Sequence, residues 1–190
     1  MEDTIIMNIK NNKGYSLVEV LAAIIILLLV TGGVATGVVL SRNQYQNSIT
    51  QSEASELYNS LSSLINNELK FTNEIKTDDD NNVTSFYSVS YATKSALTGF
   101  DTIDSNNKPT NGYGQIILRS TADENDIKRL LGYGAYTNGL GGKVESVKYI
   151  DGIFEVTLSI GTSDKTIISK TFNVRPLNTI AVNKREDGHE

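Results

Sequence analysis

Lys13-Gly14-Tyr15-Ser16-Leu17-Val18-Glu19-Val20-Leu21-Ala22-Ala23-Ile24-Ile25-Ile26-Leu27-Leu28-Leu29-Val30 is the stretch whose reading decides the rest of the chain. From Tyr15 to Leu40 the only Asp, Glu, Lys or Arg is Glu19. About 20 apolar residues are enough to cross a bilayer core as a helix, so this segment is expected to span a membrane. A carboxylate in hydrocarbon costs on the order of a few kcal/mol, less near a helix start, and Glu19 is therefore a functional candidate. Lys13-Gly14 sits before the apolar run, whereas a secretory signal puts its small residues after it.

That order resembles the class III leader of type IV prepilins. The residues that carry the likeness are Gly14, Tyr15 as the residue after it, Glu19 as the fifth residue from there, and the Val-Leu run that follows. The sequence departs from the family at Tyr15, where Phe is usual. The resemblance implies that a dedicated membrane peptidase cuts between Gly14 and Tyr15, N-methylates Tyr15, and leaves the apolar segment on the mature protein. It also implies that Glu19 acts in assembly, its carboxylate meeting the freed ammonium of a neighbouring subunit's Tyr15 inside an apolar bundle. At low dielectric that attraction is strong and an unpaired charge is penalised, which favours correct register.

The full chain has 190 residues, room for one globular head beyond the anchor. Its formal net charge is -5. No basic stripe points to nucleic acid as a partner of the head. With no Cys, neither a disulfide framework nor a thiolate metal site is available, and the head must be held by strand pairing and packing. Residues 1–14 read as the leader, whose charges are Glu2 and Asp3 against Lys10 and Lys13. Met7 offers a second, shorter start. Lys10 and Lys13 precede the apolar run while Arg42 is the only nearby cation after it, so the charge bias keeps the leader cytoplasmic and sends the head outward.

Residues 15–40 form the transmembrane, assembly half of the N-terminal helix. Gly32, Gly33 and Gly37 weaken it, by about 0.8 to 1 kcal/mol each relative to Ala; they read equally as a soft segment or as a surface for close helix packing. Residues 41–76 read as the amphipathic half. There Ile49, Leu57, Leu61, Leu64, Ile65 and Leu69 recur at helical spacing, and the helix is expected to reach about Phe71, a length of roughly 85 Å from Tyr15.

Residues 77–190 read as a β-rich head. Thr77-Asp78-Asp79-Asp80-Asn81-Asn82 is a solvated loop, since consecutive carboxylates lack the alternating spacing of a calcium loop, although Asp78 to Asp80 leave calcium open. Val83 to Ala92 alternates as a strand, and Gln115 to Arg119 is a second. Thr121-Ala122-Asp123-Glu124 fits a capping box, with Ile127, Leu130 and Leu131 on one face and Gly132 as a stop, so a short surface helix is expected there. Asn138-Gly139-Leu140-Gly141-Gly142-Lys143 resembles a phosphate loop only superficially, because Val144 stands where Ser or Thr is needed and a strand pattern follows.

Asp151-Gly152 suits a two-residue type I′ hairpin turn. It sets Ile150 opposite Ile153, Tyr149 opposite Phe154, Lys148 opposite Glu155 and Val147 opposite Val156, pairs worth about 0.2 to 1 kcal/mol each. A third strand carries Ile168, Phe172 and Val174 on one face, Pro176 ends the pairing, and Asn183 to Glu190 is a charged, frayed tail.

The expected fold is therefore α+β: a long N-terminal helix whose second half packs on an antiparallel sheet, the pilin plan that the resemblance also implies. His189 stands alone, and the Ser and Thr residues have no partner base, so the chain reads as a non-enzyme without cofactor or metal. The partners that follow are the prepilin peptidase, other pilin subunits, the pilus assembly machinery, and membrane lipid before assembly. Three readings remain: a subunit of a type IV pilus, a minor one; a pseudopilin of a type II secretion or DNA-uptake system; and a membrane-anchored binding module with Tyr-rich and Gly-rich loops. Each places the head outside the cytoplasm.

Overall fold

The computed structural model describes residues 14, 16–88 and 97–184. The backbone forms two compact units, Met1–Asn47 and Ser48–Glu190. One continuous helix, α1 (Leu17–Lys70), contributes to both.

In the first unit every described residue from Ser16 to Asn47 is exposed, including the aliphatic run from Leu17 to Leu40. Its two buried-lipid liabilities are threonines, and both are satisfied within the helix. Thr31 Oγ1 donates to the carbonyls of Leu27 (2.9 Å) and Leu28 (3.1 Å), and Thr36 Oγ1 donates to that of Gly32 at 2.9 Å. A spanning segment needs this, since hydrocarbon offers no alternative partner. The helix runs unbroken through Gly32, Gly33 and Gly37.

In the second unit the last five turns of α1 bury Ala54, Leu57, Tyr58, Leu61, Ile65 and Leu69. The stripe read from the sequence is there, with Ile49 and Leu64 only half-buried and Ala54 and Tyr58 added. It packs on two sheets. Among the described residues, the larger runs in the order β5-β4-β3-β2-β1-β9 and the smaller in the order β6-β7-β8. The larger comprises β1 (Glu74–Thr77), β2 (Val83–Tyr87), β3 (Leu97–Ile103), β4 (Gln115–Ser120), β5 (Ile127–Arg129) and β9 (Ala181–Lys184); the smaller comprises β6 (Gly141–Ile150), β7 (Ile153–Gly161) and β8 (Thr166–Val174). Phe86, Ile116 and Leu118 from one sheet and Phe154, Val156, Leu158 and Ile160 from the other join the helix stripe in a single core. Full burial of each such side chain contributes about 1.5 to 3 kcal/mol. This is the expected helix-on-sheet plan, with the sheet divided in two and one strand pair, β1 and β9, parallel.

The Asp151-Gly152 hairpin forms with the expected register: Ile150 pairs Ile153, Tyr149 pairs Phe154, Lys148 pairs Glu155 and Val147 pairs Val156. Asp151 (φ 51°) and Gly152 (φ 80°) both take the left-handed conformation a type I′ turn demands. The Tyr149 and Phe154 rings sit 4.8 Å apart. On β8, Ile168 and Val174 are buried and Phe172 half-buried, while Lys170, in the same alternating row, is exposed with its ammonium 5.6 Å from the Tyr58 ring centroid. That cation–π contact, and the edge-on approach of Phe172 to the same ring at 6.5 Å, explain why a Lys is tolerated in this row.

Three expectations are corrected, and a fourth is met over the residues described. The helix expected between Thr121 and Gly132 is instead a turn followed by strand β5. The Thr121 hydroxyl that would cap a helix donates to the Leu97 carbonyl at 2.9 Å, Asp123 Oδ1 accepts the Asn125 N–H at 2.9 Å, and Ile127–Arg129 pairs with β4. Residues 74–77, read within and just beyond the amphipathic helix, form β1. The chain turns at Lys70 because a distant segment takes the helix-end carbonyls: Leu177 N–H donates to Lys70 O at 2.9 Å and Asn178 Nδ2 to Phe71 O at 3.1 Å. Pairing therefore resumes after Pro176, and Asn183 and Lys184 belong to β9 rather than to a frayed tail. The strand read as Val83 to Ala92 is observed as Val83–Tyr87, and its continuation beyond Ser88 lies outside the described residues.

The glycine-rich stretch is packed rather than loose. Gly114 and Gly142 exchange both backbone hydrogen bonds, at 3.1 and 2.8 Å, joining the two sheets. A Cβ on Gly141 would stand 2.5 Å from the backbone nitrogen of Gly114, where nothing flexible can yield. Gly141→Ala should therefore cost about 1 to 3 kcal/mol and lower the melting temperature of the head by several degrees. Gly32→Ala, with open space around it, should leave the head transition unchanged. Thermal denaturation followed by circular dichroism of the full chain checks both.

Candidate functional site

The sequence pointed to the start of α1. Gly14 is exposed and precedes the helix, and Glu19 lies exposed in its first turn. Tyr15, Lys10 and Lys13 lie outside the described residues.

What the sequence reading missed is Ser16. Its backbone N–H donates to Glu19 Oε2 at 3.1 Å, while the Glu19 N–H donates to Ser16 Oγ at 3.2 Å. This reciprocal pair is a capping box, and it satisfies two of the donors a helix start leaves unpaired. The signal was present as Ser-x-x-Glu ahead of an apolar run. The carboxylate also stands at the positive end of the helix dipole, where a negative charge is favoured.

One oxygen of Glu19 is thus engaged by its own helix. The other, Oε1, has no hydrogen bond among the described residues and can accept from a cation. Glu19, Ala23 and Leu27 stand four residues apart and so share one helix face, a single charge at the end of an apolar strip.

The Asp78 to Asp80 loop has a different logic. Asp78 Oδ1 accepts the backbone N–H groups of Asn82 (2.8 Å) and Asp80 (3.0 Å), and its Oδ2 accepts Asn82 Nδ2 at 2.8 Å. The carboxylate is occupied in closing its own turn, with Asn81 left-handed at φ 61°. Among the described residues no group of three or more His, Cys, Asp or Glu is arranged to hold a metal ion. The Asn82 side chain, foremost, and the two backbone donors hold the Asp78 carboxyl below its ordinary value.

Residues 9–35 match the prokaryotic N-terminal methylation motif, a span that contains Lys10, Lys13, Gly14, Tyr15 and Glu19. No curated protein and no solved structure matches the chain. Together with an N-terminal helix long and apolar enough to cross a membrane, the motif supports a prepilin-like structural protein processed and assembled through that helix.

Two outcomes follow from the geometry. Ser16→Ala should fray the first turn, a loss of about 0.5 to 2 kcal/mol in local helix stability that amide exchange at residues 18–20 would report. A lowered folded-state value means that the Asp78 turn is favoured at pH above the ordinary Asp value of about 3.9 and loses that support as pH falls through the lowered one. Carboxyl NMR titration should place Asp78 below the ordinary value, and Asn82→Ala should bring it back up.

Proposed function

We propose that this chain is a structural subunit of a type IV pilus, a minor one, cut after Gly14 and N-methylated on Tyr15. The observation that carries the reading is the arrangement at the helix start. A methylation motif spans the join, Gly14 is exposed and non-helical, and the only carboxylate of the apolar segment keeps one oxygen without a hydrogen bond among the described residues.

In this reading Lys10 and Lys13 hold the leader on the cytoplasmic side, where the peptidase recognises Gly14. The capping box does not depend on the leader, because its donor is the amide of the Tyr15–Ser16 bond, which survives cleavage. Ser16 then fixes the rotamer of Glu19, and Glu19 Oε1 receives the new ammonium of a neighbour's Tyr15. A subunit entering out of register leaves both charges unpaired among aliphatic side chains, and that penalty selects the correct position. Before assembly the same aliphatic surface is covered by lipid, and the head lies outside the cytoplasm. Residues 1–14 are the leader, 15–40 the assembly segment, 41–76 the amphipathic segment with β1 at its end, and 77–190 the rest of the head.

A pseudopilin of a type II secretion or DNA-uptake system would use the same helix start. Retention of Glu19 argues against the tip pseudopilin, which typically lacks it, and the size of the head argues against the smallest major subunit of a competence pseudopilus.

Glu19→Ala should be cleaved normally yet enter filaments at about a tenth of the normal level or less, a loss equivalent to about 1.4 kcal/mol. Immunoblots of sheared filaments against membranes measure it, and normal incorporation would remove Glu19 from the mechanism. Gly14→Leu should leave the full-length chain in the membrane.

A further inference from the structure

We infer that the head carries a binding site for a neutral sugar residue, in the cleft between the β3–β4 connection and the glycine-rich loop before β6. The cleft encloses about 290 Å³ and is lined by Tyr113, Tyr133 and Tyr136, with Asp104, Ser105 and Gln115 among its polar groups. That volume lies just below the range of drug-sized ligand pockets, about 300 to 1,000 Å³, and suits one or two sugar units.

Two of the three rings, Tyr113 and Tyr136, are held in place before any ligand arrives. The Tyr113 hydroxyl bonds to the Thr166 hydroxyl on β8, and the Tyr136 hydroxyl accepts the Ile116 N–H at 3.1 Å on β4. Both aromatic walls are thus tied by their polar ends to strands of different sheets. Tyr133 follows in a 3-10 turn, Tyr133–Ala135, and its side chain is 65% exposed. A rigid aromatic surface beside small polar residues combines large contact area with low ordering cost, as in antibody combining sites.

Charge selects the ligand class. Among the described residues Asp104 is the only charged one lining the cleft, and its Oδ1 already accepts the N–H groups of Asn106 (2.8 Å) and Lys108 (2.9 Å). Arg129, which reaches the lining residue Gln115, bonds through Nε to its Oε1 at 3.0 Å and through Nη2 to Asn107 Oδ1. Among the described residues no Lys or Arg lines the cleft, so its walls offer a phosphate or carboxylate no cationic partner. With hydroxyl, amide and carboxylate groups among its walls, it is poorly suited to an acyl chain. A hexose presents what remains: an apolar ring face for tyrosine and a rim of hydroxyls for Asp104 Oδ2, Ser105 and Gln115.

The site is separate from the helix start and does not rest on the filament reading. The test uses the full chain in lipid nanodiscs, since sugar-headed detergents would compete. Glucose, galactose, mannose and N-acetylglucosamine are titrated to about 10 mM by saturation-transfer NMR, each also as a short oligosaccharide. At least one should bind saturably, with transfer to ring C–H protons. Tyr133→Ala should weaken it by about tenfold or more, Ser105→Trp should abolish it, and Tyr45→Ala should change nothing. Oligosaccharide binding no tighter than the single sugar marks a site for free sugar or a chain end; a large gain marks an internal stretch of a polysaccharide. Absence of saturable binding by any neutral sugar, preference for N-acetylneuraminic acid, or binding that survives both cleft variants would overturn the assignment.

Discussion

The row Ala54, Leu57, Tyr58, Leu61, Ile65 and Leu69 on α1 is the surface on which the head depends. Among the described residues neither sheet has another apolar partner of comparable length, and without α1 each would expose one face to water. Leu61 shows how tight the arrangement is: its methyl approaches the α-carbon of Gly142 closely enough that an added Cβ there would stand 2.8 Å away. Helix, larger sheet and smaller sheet therefore meet at one glycine, and the pair Gly114 and Gly142 can exchange backbone hydrogen bonds only because no side chain holds their strands apart. Without cysteine, this shared core and these bridges do the work that a disulfide does elsewhere.

Much of this was legible because it is local. Asp151-Gly152 fixes a turn type, the turn type fixes the register, and the register fixes which side chains meet; every step spans a few residues. The helical stripe was legible for the same reason, through its spacing. What could not be read depends on contacts across the whole chain. The end of α1 is set by Leu177 and Asn178, more than 100 residues away, and β9 pairs in parallel with β1 through a segment whose last two residues, Asn183 and Lys184, read as the start of a charged tail.

The same four-residue pattern gave opposite results at two places. Thr121-x-x-Glu124 has the form of a capping box and forms none, because Leu97 takes the hydroxyl and β4 offers the following residues a strand to join. Ser16-x-x-Glu19 forms the box, ahead of an apolar run that no strand competes for. The motif states a local preference, and the surroundings decide whether it is realised. The box engages one Glu19 oxygen with its own helix and, among the described residues, leaves the other without a hydrogen bond. The Tyr-rich and Gly-rich loops were legible as a binding feature, but the cleft was not, since Tyr113 and Tyr133 are far enough apart in sequence that only the fold brings them together.

The central claim is that the helix start is a processed assembly device, and intact-mass measurement of the mature chain tests it most directly. Protein from sheared extracellular filaments and protein from membranes would be analysed separately. The account requires a filament form that begins at N-methylated Tyr15. An uncleaved chain still beginning upstream of Gly14 in both fractions would contradict it.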